Sequence, residues 1–267
     1  MSQKIKIIVS GAGGKMGRET VKAIRQTPDL ELVGAVDLKM AGMDAGEVAG
    51  IGPIGVAITS DLAKTVHATR AQIVVDFTHP TSAAKNIEAA LMNGAHAVVG
   101  TTGIKEADIK KLTLISAKTG KSCLIAPNFA LGAVLLMQFA QNAGRYFPDV
   151  EIIELHHEKK ADAPSGTALH TADVIALARK GKAAPDISKE SVKGVRGGLR
   201  SGVRVHSVRL PGLVAHEEVI FGAQGQTLTL RHDTTSREAF MPGVLLAIRA
   251  AFSLKGLKVG LENLLEL

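Results

Sequence analysis

Residues 4–27 read KIKIIVSGAGGKMGRETVKAIRQT. Lys4–Ser10 has the apolar content of a short strand, GAGGKMG spans Gly11–Gly17, and RETVKAIRQT reads as a helix. A strand, then clustered glycines, then a helix is the context that a dinucleotide-binding turn requires. The glycines are not a strict G-x-G-x-x-G, because Met16 stands where the third would fall. They form G-x-x-G-x-x-G at Gly11, Gly14 and Gly17, with Gly13 extra. Small residues let the turn tighten, let backbone reach a pyrophosphate, and let the helix pack on its strand.

Working outward, Leu30–Val36 (LELVGAV) is a second strand closed by Asp37. An acid there, about 20 residues past the glycines, takes adenosine ribose hydroxyls, whereas a plain turn aspartate is the bland alternative. Lys39 is close enough to meet a 2′-phosphate, so NADH and NADPH both remain open. Residues 41–55 are rich in Gly and Ala and read as a loop with a short helix. Gln72–Phe77 (QIVVDF) is the continuous apolar run of a buried parallel strand, and Thr81 or Ser82 is placed to cap the helix that follows through Leu91. His96–Val99, a helix from Ile104 to Lys118 and a strand Ser122–Ala126 continue the alternation. Gly100–Gly103 (GTTG) and Ala126–Phe129 (APNF) fall at C-terminal strand ends, where an open parallel sheet carries its ligand crevice.

Phe129–Phe147 reads as a long helix, after which the pattern changes. Glu151–Leu155 is a strand of imperfect alternation, with Ile152 and Leu155 apolar and Glu151 and Glu154 polar. His156, His157, Glu158, Lys159, Lys160 and Asp162 follow, and Pro164–Thr167 opens a helix that runs to about Lys180. The first amides of a helix lack internal partners and sit at the positive end of its dipole, so this corner suits an anion. Gly166 leaves room for close approach, and two imidazoles and Lys160 stand nearby for proton transfer. Val203–Leu210, Ala215–Gly222 and Thr227–His232 are strand-like and linked by short turns, which predicts an antiparallel meander. Arg237–Leu254 returns to helix, with Pro242 marking a kink or a later start.

The composition is consistent with this reading. The chain has 267 residues, enough for one large domain or two moderate ones. It has no Trp, one Tyr and seven Phe, so its core is aliphatic. A formal charge of +7 fits anionic ligands. The denser basic patch at Lys193–Arg209 carries no helix-turn-helix and no base-stacking aromatics, so no nucleic-acid partner is expected. Cys123 is the single cysteine and lies in an apolar run, which excludes an internal disulfide and suits a reducing cytosol. No stretch has the length of a membrane span. We expect a cytoplasmic protein with no membrane partner and no metal site.

Together these residues resemble the 4-hydroxy-tetrahydrodipicolinate reductase (dihydrodipicolinate reductase) family. Its fingerprint, E-[IV]-x-E-x-H-x3-K-x-D-x-P-S-G-T-A, is matched in full by Glu151–Ala168, and GAGGKMG, DFTHP, VVGTTG, APNFALG and SVRLPGLVAHEEVIFG extend the likeness along the chain. The resemblance implies an NADH- or NADPH-dependent oxidoreductase of lysine and diaminopimelate biosynthesis. It implies an α/β fold: a Rossmann-type doubly wound parallel sheet over residues 1–127 and 238–267, and a second α+β substrate and oligomerisation domain over 128–237. Gly11, Ala12, Gly13, Gly14, Lys15, Met16, Asp37, Gly100, Thr101, Thr102, Ala126, Pro127, Asn128 and Phe129 would bind the cofactor. His156 and Lys160 would be catalytic. His157, Gly166 and Thr167 would hold a carboxylate of a small cyclic dicarboxylate. The usual assembly is a homotetramer. Leu38 stands where some members carry a basic residue, which favours NADH or dual use. The rivals are another two-domain NAD(P) dehydrogenase, which the fingerprint disfavours, and a nucleotide-sensing regulator, for which no reading element is present.

Overall fold

The computed structural model describes residues 3–181 and 183–266. The chain divides into two compact units, Met1–Phe129 with Phe240–Leu267, and Ala130–Ala239.

The first unit opens with strand β1 (Ile5–Ser10), helix α1 (Lys15–Gln26), strand β2 (Leu30–Val36), helix α2 (Ala45–Ala49), strand β3 (Ile58–Thr59), helix α3 (Leu62–Thr69), strand β4 (Ile73–Asp76), helix α4 (Pro80–Met92), strand β5 (His96–Val99), helix α5 (Glu106–Thr119) and strand β6 (Cys123–Ile125). Ile7, Ile8, Val9, Ile73 and Val98 are fully buried, as the continuous apolar runs require of strands covered on both faces. Each buried aliphatic side chain contributes about 1.5–3 kcal/mol. Two details differ from the sequence reading. Helix α1 begins at Lys15, inside the glycine run, so Gly17 is helical rather than part of the turn. Helix α4 is capped by His79 with Ser82 closing a capping box, because Pro80 at the first helical position moves the start two residues upstream.

The second unit comprises α6 (Leu131–Ala143), β7 (Asp149–His156), α7 (Gly166–Ala178), β8 (Gly198–Arg200), β9 (Val203–Arg209), β10 (Ala215–Ala223) and β11 (Gln226–Thr234). Its sheet runs β11-β10-β7-β9-β8. The expected meander holds only for β10 and β11, which form an antiparallel hairpin. Strands β9 and β10 do not pair; β7 lies between them, parallel to β9 and antiparallel to β10. The reason is burial. Val150 and Ile152 make β7 the central strand of the core, and a central strand needs partners on both edges to satisfy its backbone. Helices α6 and α7 cover one face, packing Leu136, Ala140, Ala172 and Ile175 on Ile152, Val205, Val219 and Phe221. The opposite face is polar, with Glu151 accepting from Arg196 and His206.

The chain then returns to the first unit as α8 (Met241–Ala250) and β12 (Leu257–Val259). Pro242 marks the start of α8 rather than a kink. Strand β12 completes a seven-stranded sheet, β12-β6-β5-β4-β1-β2-β3, in which every pair is parallel. The strand order reverses between β1 and β4, so the C-terminal ends of these two strands flank the switch point. No helix among the described residues is long and apolar enough to cross a membrane.

Candidate active site

At the switch point the glycine turn is built from its own backbone. The amides of Gly11 and Ala12 donate to the Val36 carbonyl, Gly14 N donates to Gly11 O, and Gly13 N donates to Asp37 Oδ2 at 2.9 Å. These four residues spend their donors inside the turn. Helix α1 has no capping side chain and no acid in its first turn. The amides of Lys15, Met16 and Gly17 have no acceptor among the described residues, the open helix end that suits a phosphate. A Cβ on Gly13 would lie 2.8 Å from Asp37 Oδ2, and one on Gly17 would lie 2.1 Å from Gly11 O. Backbone excludes any side chain at Gly17, whereas at Gly13 the Met40 and Asp37 side chains would have to move. This donor set and the bare backbone fit a pyrophosphate.

The other expected cofactor residues adjoin the turn through Phe77. A Cβ on Gly11 would meet Phe77 O at 2.6 Å, and one on Gly100 would meet the Phe77 ring at 2.1 Å. The Phe77 ring stands edge-on to Phe129, 5.8 Å between centroids. Thr101 Oγ1 donates to the buried Asp76 carboxylate at 3.0 Å, which Thr78 and Asn86 also serve. Thr102 and Pro127 are exposed, and Ala126 is buried with its amide on Val99 O. A cleft of about 330 Å³ is lined by Gly11, Gly14, Asp37, Leu38, Ser60 and His79, among others. Asp37 Oδ1 also accepts from the amides of Lys39 and Met40.

In the second unit the organising group is Glu154, a residue to which the sequence reading assigned no role. The imperfect alternation of Glu151–Leu155 grouped it with Glu151 as polar and gave it no face. It points inward with Val150 and Ile152 and is fully buried, while Leu155 is only half-buried. Its carboxylate takes two bonds from Arg209, Nη1 to Oε2 at 2.9 Å and Nη2 to Oε1 at 2.8 Å. His156 Nδ1 donates to Oε2 at 2.5 Å, and Ser165 N donates to Oε1 at 3.2 Å. Burial alone would raise this carboxyl, but the hydrogen bonds from His156 and Arg209 bring it down to about 2. An ionised carboxylate only accepts, so Nδ1 carries the ring proton and Nε2 is left for chemistry.

The same network fixes the loop. Arg209 Nη2 donates to the Asp162 carbonyl at 2.6 Å, and the Asp162 carboxylate holds Lys160 Nζ at 2.7 and 2.9 Å. That hydrogen bond from Lys160 also keeps the Asp162 carboxyl below its ordinary value. Ser165 caps α7 through Ala168 N, leaving the amides of Gly166 and Thr167 without partners among the described residues. A Cβ on Gly166 would meet nothing within 4 Å, so open space lies before that helix end. His156, Lys160 and the Gly166–Thr167 corner are thus joined by Glu154, Arg209 and Asp162. His157 is not in this network; its Nδ1 accepts from Lys159 N. Arg209 lies 55 residues from Glu154, and no local pattern paired them.

Comparison with known proteins bears on the same two units. The family model described as dihydrodipicolinate reductase, N-terminus, matches residues 5–129, and that described as dihydrodipicolinate reductase, C-terminus, matches 132–265. A 4-hydroxy-tetrahydrodipicolinate reductase of Desulfitobacterium hafniense is 52% identical over 267 residues, covering 99% of this chain and all of the relative. One from Moorella thermoacetica is 50% identical over 266 residues, covering the full length of both. A dipicolinate-bound dihydrodipicolinate reductase from a Paenisporosarcina species superposes with a TM-score of 0.90 at 40% identity, over 98% of this chain and all of that one.

Proposed function

Since the chain belongs to the dihydrodipicolinate reductase family and is a pyridine-nucleotide-dependent oxidoreductase acting on 4-hydroxy-tetrahydrodipicolinate in the lysine and diaminopimelate route, we propose a division of labour among its residues. When bound, the reduced nicotinamide supplies hydride. The chain supplies binding, orientation and protons. Lys15 and Met16, at the open end of α1, hold the pyrophosphate, and Asp37 takes the adenosine ribose. Gly100–Thr102 and Ala126–Phe129 line the nicotinamide half.

In the residue 130–239 unit, the amides of Gly166 and Thr167 grip one substrate carboxylate, with His157 beside them. That grip fixes the ring and removes its rotational freedom before chemistry. His156, presenting Nε2, and Lys160 handle the proton that must be supplied as negative charge builds on the ring. Such transfer contributes roughly 10²–10⁴-fold. The observation that carries this reading is Glu154. One buried carboxylate orients His156, receives the amide of the α7 cap, and through Arg209 ties down the loop bearing Lys160.

We read the cofactor choice as dual use with NADH favoured, because Leu38 follows Asp37 and is 81% exposed where a cation would meet a 2′-phosphate. A cytoplasmic setting suits the buried free thiol of Cys123, which burial pushes up to about 12. A homotetramer built through the five-stranded sheet is the assembly we assign. The deciding assay is oxidation of NADH and of NADPH with freshly made 4-hydroxy-tetrahydrodipicolinate. His156→Gln and Lys160→Ala should each lower kcat far more than they raise KM, and less than additively together. Near wild-type turnover in both single variants overturns the assignment.

A further inference from the structure

One buried acid is left unused by the roles above. Glu217 on β10 is 6% exposed, and its register partners are Glu154 on β7 and His232 on β11. Ser207 on β9 is the next partner beyond Glu154. Residues paired across strands share a face, with Cβ atoms about 4.5–5.5 Å apart. Ser207, Glu154, Glu217 and His232 therefore form one polar row on the helix-covered face, exposed at its Ser207 end, and Arg209, His156, Ala215 and Thr234 form the next.

Two carboxylates directly opposite cannot both ionise cheaply. The environments decide which does. Glu154 has Arg209, His156 and the Ser165 amide. Glu217 has only the hydroxyl of Thr171 on α7, and its Oε1 has no partner among the described residues. From β11, burial holds the His232 ring below its ordinary value, which disfavours the charge that could offset Glu217, while the ring packs against Gly132 of α6. Burial pushes the Glu217 carboxyl up to about 7, with the Glu154 charge adding to the rise and the Thr171 hydrogen bond opposing it. The Thr171 hydroxyl, which donates to Thr167 O, can accept from the neutral acid and rotate to serve the carboxylate.

We propose that Glu217 is a positioning residue that acts through Glu154: its change from neutral acid to carboxylate adds negative charge beside the Glu154–His156 pair and so keeps His156 protonated to higher pH. This rests on His156 being the proton-handling group. Below neutrality Glu217 is silent, because Glu154 alone holds the ring. Once Glu217 ionises, its charge adds to that of Glu154 opposite it and strengthens the hold on the His156 ring proton.

The test is the pH profile of kcat/KM for the full-length enzyme with NADH, comparing wild type, Glu217→Gln, Glu217→Asp and His156→Gln. Glutamine copies the neutral acid. At pH 6 Glu217→Gln should stay within about twofold of wild type, and its alkaline limb should move down by about half to one pH unit, the scale of one charge acting across a polar interior. Aspartate, still ionisable, should restore most of the limb. Superimposable wild-type and Gln profiles, or a Gln loss equal at every pH, would overturn the proposal while His156→Gln remained inactive. An active His156→Gln would instead overturn the assignment on which it rests. Should Glu217→Gln not fold, isotope-edited carboxyl titration of the unsubstituted enzyme decides: a Glu217 titrating with the surface acids sinks the idea.

Discussion

Replacing Glu154 by glutamine isolates the network's charge, because glutamine has the shape of the protonated acid. Glu154 is fully buried, and its carboxyl falls from an ordinary 4.5 to about 2. A depressed acid contributes stability that is fully present above its unfolded value and is lost as pH falls through its folded one. The difference of two and a half units corresponds to about 3 kcal/mol at pH 7. Removing one partner of a buried ion pair costs about 3–5 kcal/mol by itself, which agrees in size. Wild type should therefore exceed Glu154→Gln by about 3 kcal/mol between pH 7 and 5. The gap should shrink by about 2 kcal/mol at pH 3 as the wild-type acid takes up its own proton and comes to resemble glutamine. Urea unfolding at fixed protein concentration over this pH range measures the difference, and surface carboxylates cancel between the two proteins. Activity should fall at least about 10²-fold in kcat, since glutamine has one acceptor oxygen for Arg209, Ser165 N and His156, and the NH2 in the other place cannot accept from His156 Nδ1. A gap that stays constant from pH 7 to pH 3, or a variant as stable as wild type at pH 7, would refute the reasoning.

Gly17→Ala should lower thermal stability by the equivalent of about 1–3 kcal/mol or more, because its Cβ would meet the backbone at Gly11 O, 2.1 Å, and Ala12 Cα, 2.8 Å; wild-type melting together with wild-type NADH affinity would count against the cradle. Gly166→Ala meets no atom within 4 Å. It should leave melting unchanged or slightly raised while raising KM for the dicarboxylate about tenfold, and an unchanged KM would remove Gly166 from the carboxylate site. Asp37→Ala should weaken NADH more than NADPH in fluorescence titrations, and equal losses would speak against a ribose contact.

The first unit was largely legible because its strands are covered on both faces. Ile7–Val9, Ile73–Val75 and His96–Val99 are buried from end to end, so continuous apolar runs announced them. Strands β3 and β12, of two and three residues, are too short to carry a period and were not foreseen. In the second unit four of the five strands were found, β8 with its three residues was not, and the order was not. That β7 divides β9 from β10 is decided by which edges the buried Val150–Ile152 face must fill, and nothing local to residues 203–222 encodes it. The fingerprint drew attention to His156, Lys160, Gly166 and Thr167, yet the link between them waited on Arg209, which reaches Glu154 from across the fold.

The inward polarity of that sheet end is itself informative. One register step away, Val205, Ile152, Val219 and Leu230 form an apolar row on the same face. The fold thus has the means to continue with aliphatic side chains, which would stabilise it without desolvating charge. Instead the next two rows carry Glu154, Glu217, His232, Arg209 and His156. A carboxylate moved from water into a protein interior costs several kcal/mol before its partners repay it. A strand that turns such a group inward, beside a helix end whose first amides have no partner among the described residues, gives up stability that an aliphatic row would supply. Alternation gives no inward place to Glu154, because the rule presumes that a buried face is apolar, and this one carries a buried carboxylate paired with Arg209.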